Sequence, residues 1–121
     1  MAAHPIVHLE LSATDPAAAS RFYADLFGWK IEHNAEFDYY IFSGEGGPRG
    51  GFVKPDGKDH KAGDVIVYID TDDIDATLKS VVALGGRILQ PKTAIPGVAW
   101  YALFADPTGN RLGVYTRKKP A

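Results

Sequence analysis

Two side chains near the start of the chain could do acid–base chemistry together. His8 and Glu10 are two residues apart in the alternating segment from Ile6 to Leu11, so both point to the same side of a predicted strand. A carboxylate that orients an imidazole is one way to build a general base near neutral pH. The same pair could equally be a hydrogen-bonded part of a binding site with no catalytic duty. The residue types alone leave both interpretations open.

The composition excludes several other kinds of site. The sequence has no cysteine, which rules out disulfides, Cys-based zinc sites, iron–sulfur clusters and thiol nucleophiles. Its 13 Lys+Arg and 15 Asp+Glu give a net charge of −2, which argues against a broad nucleic-acid-binding face. No apolar run is long enough for a transmembrane helix, and the first residues lack the pattern of a signal peptide. We therefore expect a cytoplasmic protein with neither nucleic acid nor membrane as a partner.

A repeated order of elements must position the candidate side chains. The 121 residues, 45% of them hydrophobic, are typical of a single globular domain. After the first strand, Asp15 is a predicted helix N-cap and Gly28 a helix end, and three short strands follow. The same order recurs in the second half, where Asp73 is the predicted cap, so two tandem βαβββ modules are expected. The predicted modules are residues 5–54 and 64–117, joined by a polar linker at residues 55–63.

Two segments of the sequence resemble the vicinal oxygen chelate superfamily, which includes glyoxalase I, bleomycin-resistance proteins, fosfomycin-resistance enzymes and extradiol dioxygenases. The pattern D-P-x-x-x-x-x-F-Y-x-x-L-F-G-W occurs at Asp15 to Trp29, and F-x-D-P-x-G-N-x-x-G occurs at Phe104 to Gly113. The chain looks most like the branch described as related to lactoylglutathione lyase. The resemblance implies an α+β fold whose two tandem βαβββ modules form an open, curved, eight-stranded cavity with the helices outside. It also implies a homodimer, because members commonly dimerise.

The resemblance further implies where a metal ion would be held. Metal-dependent members bind a divalent ion with one ligand from each of four strands, and these positions fall here on His8, Gly51, Ile66 and Gly113. Glycine has no side chain and isoleucine has no donor atom, whereas a catalytic divalent site normally needs at least three protein ligands. We therefore expect no metal cofactor at the family position. Glyoxalase I and extradiol dioxygenase activities, which need the ion, are disfavoured.

The implied cavity also suggests where a ligand would bind. Strand alternation places His8 and Glu10 on its wall. The strand glycines Gly51 and Gly113 would either widen the cavity or relieve crowding or form bulges in their strands. Aromatic residues, 12% of the chain, could contact a flat, partly apolar molecule. The predicted ligand-binding residues are Tyr40, Phe42, Gly51, Tyr68, Trp100, Gly113 and Tyr115.

Three functions are compatible with these features. The first is a protein that binds or sequesters a small, partly aromatic or apolar organic molecule without the family metal. The alternative is a lyase or isomerase of the glyoxalase type that uses His8 as a base or as the sole retained ligand. The third is an interaction module whose cavity is filled by its own side chains.

The remaining histidines stand beside turns or at the terminus and are expected at the surface: His4, His33 and His60.

Overall fold

In the part of the chain that the structure describes, eight strands and two helices follow one another in the predicted order. The computed structural model describes residues 3–58 and 60–117. It contains two successive βαβββ arrangements, which confirms the predicted α+β fold class. The chain divides into two compact units, here called the N-terminal unit (Val7–Ile66) and the C-terminal unit (the segment ending at Ile6 together with the chain from Val67 onward). Neither helix in the described ranges is long and apolar enough to cross a membrane.

The N-terminal unit contains one helix and a four-stranded sheet. Its elements are β1 (Ile6–Ser12), α1 (Pro16–Phe27), β2 (Lys30–Asn34), β3 (Tyr39–Ser43) and β4 (Arg49–Val53). The sheet order is β2-β3-β4-β1, with β1 parallel to β4 and the other pairs antiparallel. The described residues of the segment predicted as a linker, 55–58 and 60–63, belong to this unit.

Helix α1 begins and ends where its capping residues require. The Asp15 carboxylate accepts a hydrogen bond from the Ala18 amide at 3.1 Å, and Gly28 ends the helix at a φ of 71°, which favours glycine. An aromatic cluster lies between the helix and the sheet. Within it, Phe52 is 1% exposed and its ring stacks on Tyr23 at 5.8 Å between centroids.

The C-terminal unit repeats this plan with an aliphatic core. Its elements are β5 (Val65–Asp70), α2 (Ile74–Ala83), β6 (Arg87–Ile95), β7 (Ala99–Ala105) and β8 (Arg111–Thr116). The sheet order is β5-β8-β7-β6, with β5 parallel to β8. Asp73 caps the helix by accepting from the Ala76 amide at 3.0 Å. The core joins the helix to β7 and β8 through Ile74, Leu78, Ala102 and Val114.

Candidate functional site

The predicted pair His8 and Glu10 is connected through a third side chain, Tyr39. In the register of β1 with β4, His8 lies opposite Arg49 and Glu10 opposite Gly51. Tyr39 begins β3, and its hydroxyl lies 2.9 Å from Nε2 of His8 and donates to Oε2 of Glu10 at 3.1 Å. We call the sheet face that carries these side chains, opposite α1, the site face. The sequence correctly placed His8 and Glu10 on one face but did not identify Tyr39 as the link.

His60 reaches the same carboxylate from the segment after β4. Its Nε2 lies 3.2 Å from Oε1 of Glu10, and its Nδ1 lies 3.4 Å from Oδ2 of Asp56. The His60 side chain is 13% exposed, so the prediction that it is a surface histidine is wrong. A polar, turn-rich segment is typical of a linker, and only the four-residue spacing between Asp56 and His60 indicates that the segment folds on itself. The site is therefore a hydrogen-bonded chain that runs from His8 through Tyr39 and Glu10 to His60.

The second carboxylate, Asp56, holds the segment that presents His60. Its Oδ1 accepts hydrogen bonds from the backbone amides of Lys58 at 2.8 Å and His60 at 2.9 Å. These backbone hydrogen bonds keep the pKa of Asp56 below its ordinary range. Asp56 is thus a stable anion beside the His60 ring.

The two site histidines have opposite electrostatic surroundings. Burial lowers the pKa of His8, and the nearby Arg49 lowers it further, although Glu10 opposes both effects. The hydrogen bond to Glu10 raises the pKa of His60, and Asp56 adds to this effect against burial. The surroundings therefore make His8 harder to protonate than a free imidazole and His60 easier to protonate.

Tyrosine rings cover the two glycines that were expected to widen a cavity. A Cβ atom added to Gly51 would overlap the ring and hydroxyl of Tyr39, and one added to Gly113 would overlap the ring of Tyr68. Tyr68 lies opposite Gly113 in the β5–β8 register and is 4% exposed. The structure therefore contradicts the predicted widening and agrees with the alternative that these glycines relieve crowding, because each absent side chain makes room for a tyrosine of the same unit.

Three of the predicted ligand-binding aromatics lie on the helix-facing sides of their sheets. Phe42 is 3% exposed and stacks on Trp29 at 4.5 Å within the cluster under α1. Tyr40 is in register with the buried Phe52 and so shares its face, where its ring stacks on His33 at 4.2 Å. Trp100 packs against the core under α2. The prediction that these three residues line an open cavity is therefore wrong about their faces, because alternation shows which residues share a face but not which face the helix covers.

Tyr115 and Tyr68 lie on the face opposite α2, as the sequence predicts. Tyr115 is in register with Asp70 on one side and with Tyr101 on the other. Tyr101 therefore lies on the face opposite α2, whereas the neighbouring Trp100 lies on the helix-facing side.

The side chains at the four family metal positions do not fit a divalent ion. The His8 imidazole bonds to Tyr39, the Gly51 and Gly113 positions are covered by tyrosine rings, and Ile66 is 2% exposed with no donor atom. Among residues 3–58 and 60–117, no group of three or more His, Asp or Glu side chains is arranged to hold a metal. The donor set therefore disagrees with the metal chemistry of the wider family.

The two βαβββ modules define a class of small α+β proteins built by an internal repeat. Within that class, the chain belongs to the Glyoxalase/Bleomycin resistance protein/Dioxygenase superfamily, whose family model matches residues 5–114. The resemblance inferred from the sequence is thereby confirmed. The hypothetical protein BH1468 from Bacillus halodurans is similar in structure, with a TM-score of 0.77 over 99% of both chains at 12% identity, which supports the fold alone.

Curated relatives come from bacteria and a fungus. The chain is 32% identical to a glyoxylase-like domain-containing protein from Didymella fabae, over 90% of this chain and 91% of that protein. It is 28% identical to the putative glyoxylase CFP32 of Mycobacterium tuberculosis over 88% of this chain and 43% of that protein. It is 29% identical to the anthracycline biosynthesis protein DnrV of Streptomyces peucetius, over 89% of this chain and 45% of that protein. The chain thus spans less than half the length of the last two relatives.

Proposed function

We propose that this protein binds a small, partly aromatic organic molecule at the site face of the N-terminal unit, without a metal ion at the family position. One observation carries the proposal: within the N-terminal unit the Tyr39 ring covers Gly51, where a metal ligand would be, and the Tyr39 hydroxyl joins His8 and Glu10 in a polar network on the site face. A site without a Lewis acid must recognise its ligand by shape and hydrogen bonds.

The chemistry of the site face suggests the class of ligand. The ring centroids of His8 and Tyr39 are 6.4 Å apart and the interplanar angle is 28°. The two rings thus offer a flat surface next to hydrogen-bonding groups. Flat molecules that carry hydroxyl groups match such a surface. The relative DnrV is named an anthracycline biosynthesis protein, and anthracyclines are flat, polycyclic and hydroxylated. This name supports the same class of ligand.

A titration with doxorubicin, an anthracycline, tests the proposal. Drug fluorescence is followed at fixed drug concentration while protein is added, in buffer containing EDTA. We expect saturable binding, weakened about tenfold by His8→Ala, which corresponds to the loss of about one buried hydrogen bond. Tyr23→Phe, which removes a hydroxyl outside the site, is the matched control and should bind as the unmodified protein does. Absence of saturation, or equal affinity in His8→Ala, would contradict the proposal.

A second candidate function is a metal-independent lyase or isomerase in which His8 is the base. It is favoured by the neutral state of His8, whose pKa is lowered, and by its link through Tyr39 to a carboxylate. The probe is the hemithioacetal of methylglyoxal and glutathione, followed by proton NMR in D₂O with EDTA present. Turnover that His8→Ala abolishes without unfolding the protein would support this function, and equal turnover in the variant would exclude it.

We further propose that the protein forms a homodimer, as the family resemblance implies, and binds neither nucleic acid nor membrane. Light scattering after size-exclusion chromatography gives the molar mass in solution. A monomer mass at all concentrations tested would contradict the dimer.

A further inference from the structure

We infer that the N-terminal unit has a second binding site, for protonated aromatic amines, in a cleft between the end of α1 and the loop after β3. The cleft has a volume of about 630 Å³, within the range of roughly 300–1,000 Å³ that is typical of small-molecule sites. None of the site-face residues lines it, so this site is additional to the proposed function. Its lining consists of Phe27, Gly28, Trp29, Gly44 and Glu45.

The end of α1 brings two aromatic rings to one wall of the cleft. Gly28 takes a left-handed φ of 71° and its amide donates to the Ala24 carbonyl at 2.9 Å, so the chain turns directly after Phe27. The ring centroids of Phe27 and Trp29 then lie 5.5 Å apart with an interplanar angle of 37°. Trp29 is half-buried in the aromatic cluster, but Phe27 is 60% exposed. The cleft therefore has an aromatic wall that a ligand can reach.

Gly44 leaves one edge of the Trp29 indole uncovered. A Cβ atom added to Gly44 would lie 3.3 Å from Nε1 and 3.4 Å from Cδ1 of that indole. A side chain at position 44 would press on this edge and take up space in the cleft. Glycine is the residue that allows such a close approach.

Glu45 determines which charge the ligand carries. It is the one ionisable residue in the cleft lining, and it is exposed. Within the described ranges it forms no ion pair or side-chain hydrogen bond. The charged residues nearest to the cleft in the sequence, Asp25 and Lys30, do not line it. A carboxylate beside aromatic faces attracts a cation both directly and through the negative charge of the rings.

Protonated aromatic amines meet both requirements. Their ring can pack against Phe27, while their ammonium group pairs with the Glu45 carboxylate. An anion of the same shape would be repelled by Glu45, and a neutral molecule would lack the ion pair. The chemistry of the lining thus distinguishes three ligands that differ in charge alone.

NMR of the Trp29 indole N–H tests the site. The sequence contains two tryptophans, so the nitrogen-15-labelled protein gives two indole signals, and Trp100→Phe identifies the one that belongs to Trp29. Phenethylamine, which is protonated at pH 7, is added at constant ionic strength because salt screens exposed charges. We expect the Trp29 signal to shift saturably, with a dissociation constant of millimolar order, since so small a ligand makes few contacts. The neutral 2-phenylethanol and the anionic 3-phenylpropionate should each bind at least about threefold more weakly.

Two pairs of variants test the lining. Glu45→Gln should weaken phenethylamine binding about threefold, as expected for one exposed ion pair, and should leave 2-phenylethanol binding unchanged. Glu36→Gln, which removes an exposed carboxylate outside the cleft lining, is the matched control and should bind as the unmodified protein does. Gly44→Ala should weaken binding, whereas Gly47→Ala, where a Cβ meets nothing within 4 Å, should not. Urea unfolding of each variant establishes that it is folded.

Several outcomes would overturn the inference. They are a Trp29 signal that does not respond to phenethylamine, binding of 3-phenylpropionate that is as tight as that of the amine, and equal affinity for the amine in Glu45→Gln and the unmodified protein. A Trp29 signal that moves with protein concentration and not with the amine would mean that a second copy of the chain covers the cleft, and the amine site would then be wrong.

Discussion

At the scale of single residues, each of two strand glycines is paired with a tyrosine whose ring fills the space that the glycine leaves open. Tyr39 covers Gly51 and at the same time joins His8 to Glu10. A larger residue at position 51 would displace the ring that connects the two predicted site residues. In the C-terminal unit, Tyr68 covers Gly113 in a comparable way. Each glycine therefore contacts one tyrosine ring. A metal-ligating side chain introduced at either glycine position would displace that ring.

Substitution of Gly113 by alanine should destabilise the protein by about 1–3 kcal/mol, the range for overfilling a well-packed interior. The reason is that the new Cβ overlaps the ring of Tyr68, which is 4% exposed and has little room to move. Urea unfolding measures the change. Gly47→Ala is the matched control, since a Cβ there meets nothing within 4 Å, and its effect should stay within about 0.5 kcal/mol.

A double substitution identifies the source of that cost. In a Tyr68→Ala background the ring is gone, so Gly113→Ala should cost less than it does alone. Equal costs in both backgrounds would show that the overlap with Tyr68 is not the cause.

The two site histidines should give stability a maximum near pH 6.5, the ordinary pKa of both groups. The pKa of His60 is raised by folding, so its contribution is complete below pH 6.5 and is lost as the pH rises through the folded value. The pKa of His8 is lowered by folding, so stability falls as the pH drops from 6.5 through its folded value. The charged groups involved are Glu10 and Asp56 around His60, and Glu10 and Arg49 around His8.

Urea unfolding between pH 5.5 and 8.5 checks this profile. His60→Gln should flatten its alkaline side, and His8→Gln should flatten its acidic side. A variant that lowers stability equally at every pH would contradict the assignment of that histidine.

At the scale of elements, the sequence correctly predicted the features that depend on residues close together in the chain. Both helices begin at the expected caps, Asp15 and Asp73, because a side-chain carboxylate can satisfy the first amides of a helix without help from the rest of the fold. Alternation likewise placed His8 and Glu10 together. Which face of β3 and β7 the helices cover depends on contacts distant in sequence, and the predicted faces of Tyr40, Phe42 and Trp100 are therefore wrong. His60 was missed for the same reason, since Glu10 is 50 residues away in the chain.

Loss of the second cap should cost about 1 kcal/mol, within the usual range for such residues. Asp73→Ala leaves the amide of Ala76 without its acceptor at 3.0 Å. The neighbouring Asp72, which is exposed and lies before the cap, provides the matched control. Asp72→Ala should change the free energy of unfolding by less than about 0.5 kcal/mol. If the two variants are equally stable, the cap does not contribute as argued.

At the scale of the whole molecule, the two units share a plan but differ in their interiors. The N-terminal unit is built around stacked aromatic rings, among them Tyr23, Trp29 and Phe52. The C-terminal unit uses the aliphatic cluster of Ile74, Leu78, Ala102 and Val114. The repeat therefore preserves the order of strands and helix without preserving the residues that fill it. The titratable chain from His8 to His60 lies within the N-terminal unit.

Metal chelation should leave this protein unchanged, because three of the four family ligand positions have no donor atom. A structural or catalytic ion contributes free energy to the folded state, so its removal lowers the unfolding temperature. We expect the same unfolding temperature before and after dialysis against EDTA, and less than a tenth of an equivalent of any transition metal in protein purified without chelator. Adding zinc or nickel after dialysis should not raise the unfolding temperature. Stoichiometric metal that EDTA removes together with stability would mean that ligands outside the family positions hold an ion, and the proposed metal-free function would then be wrong.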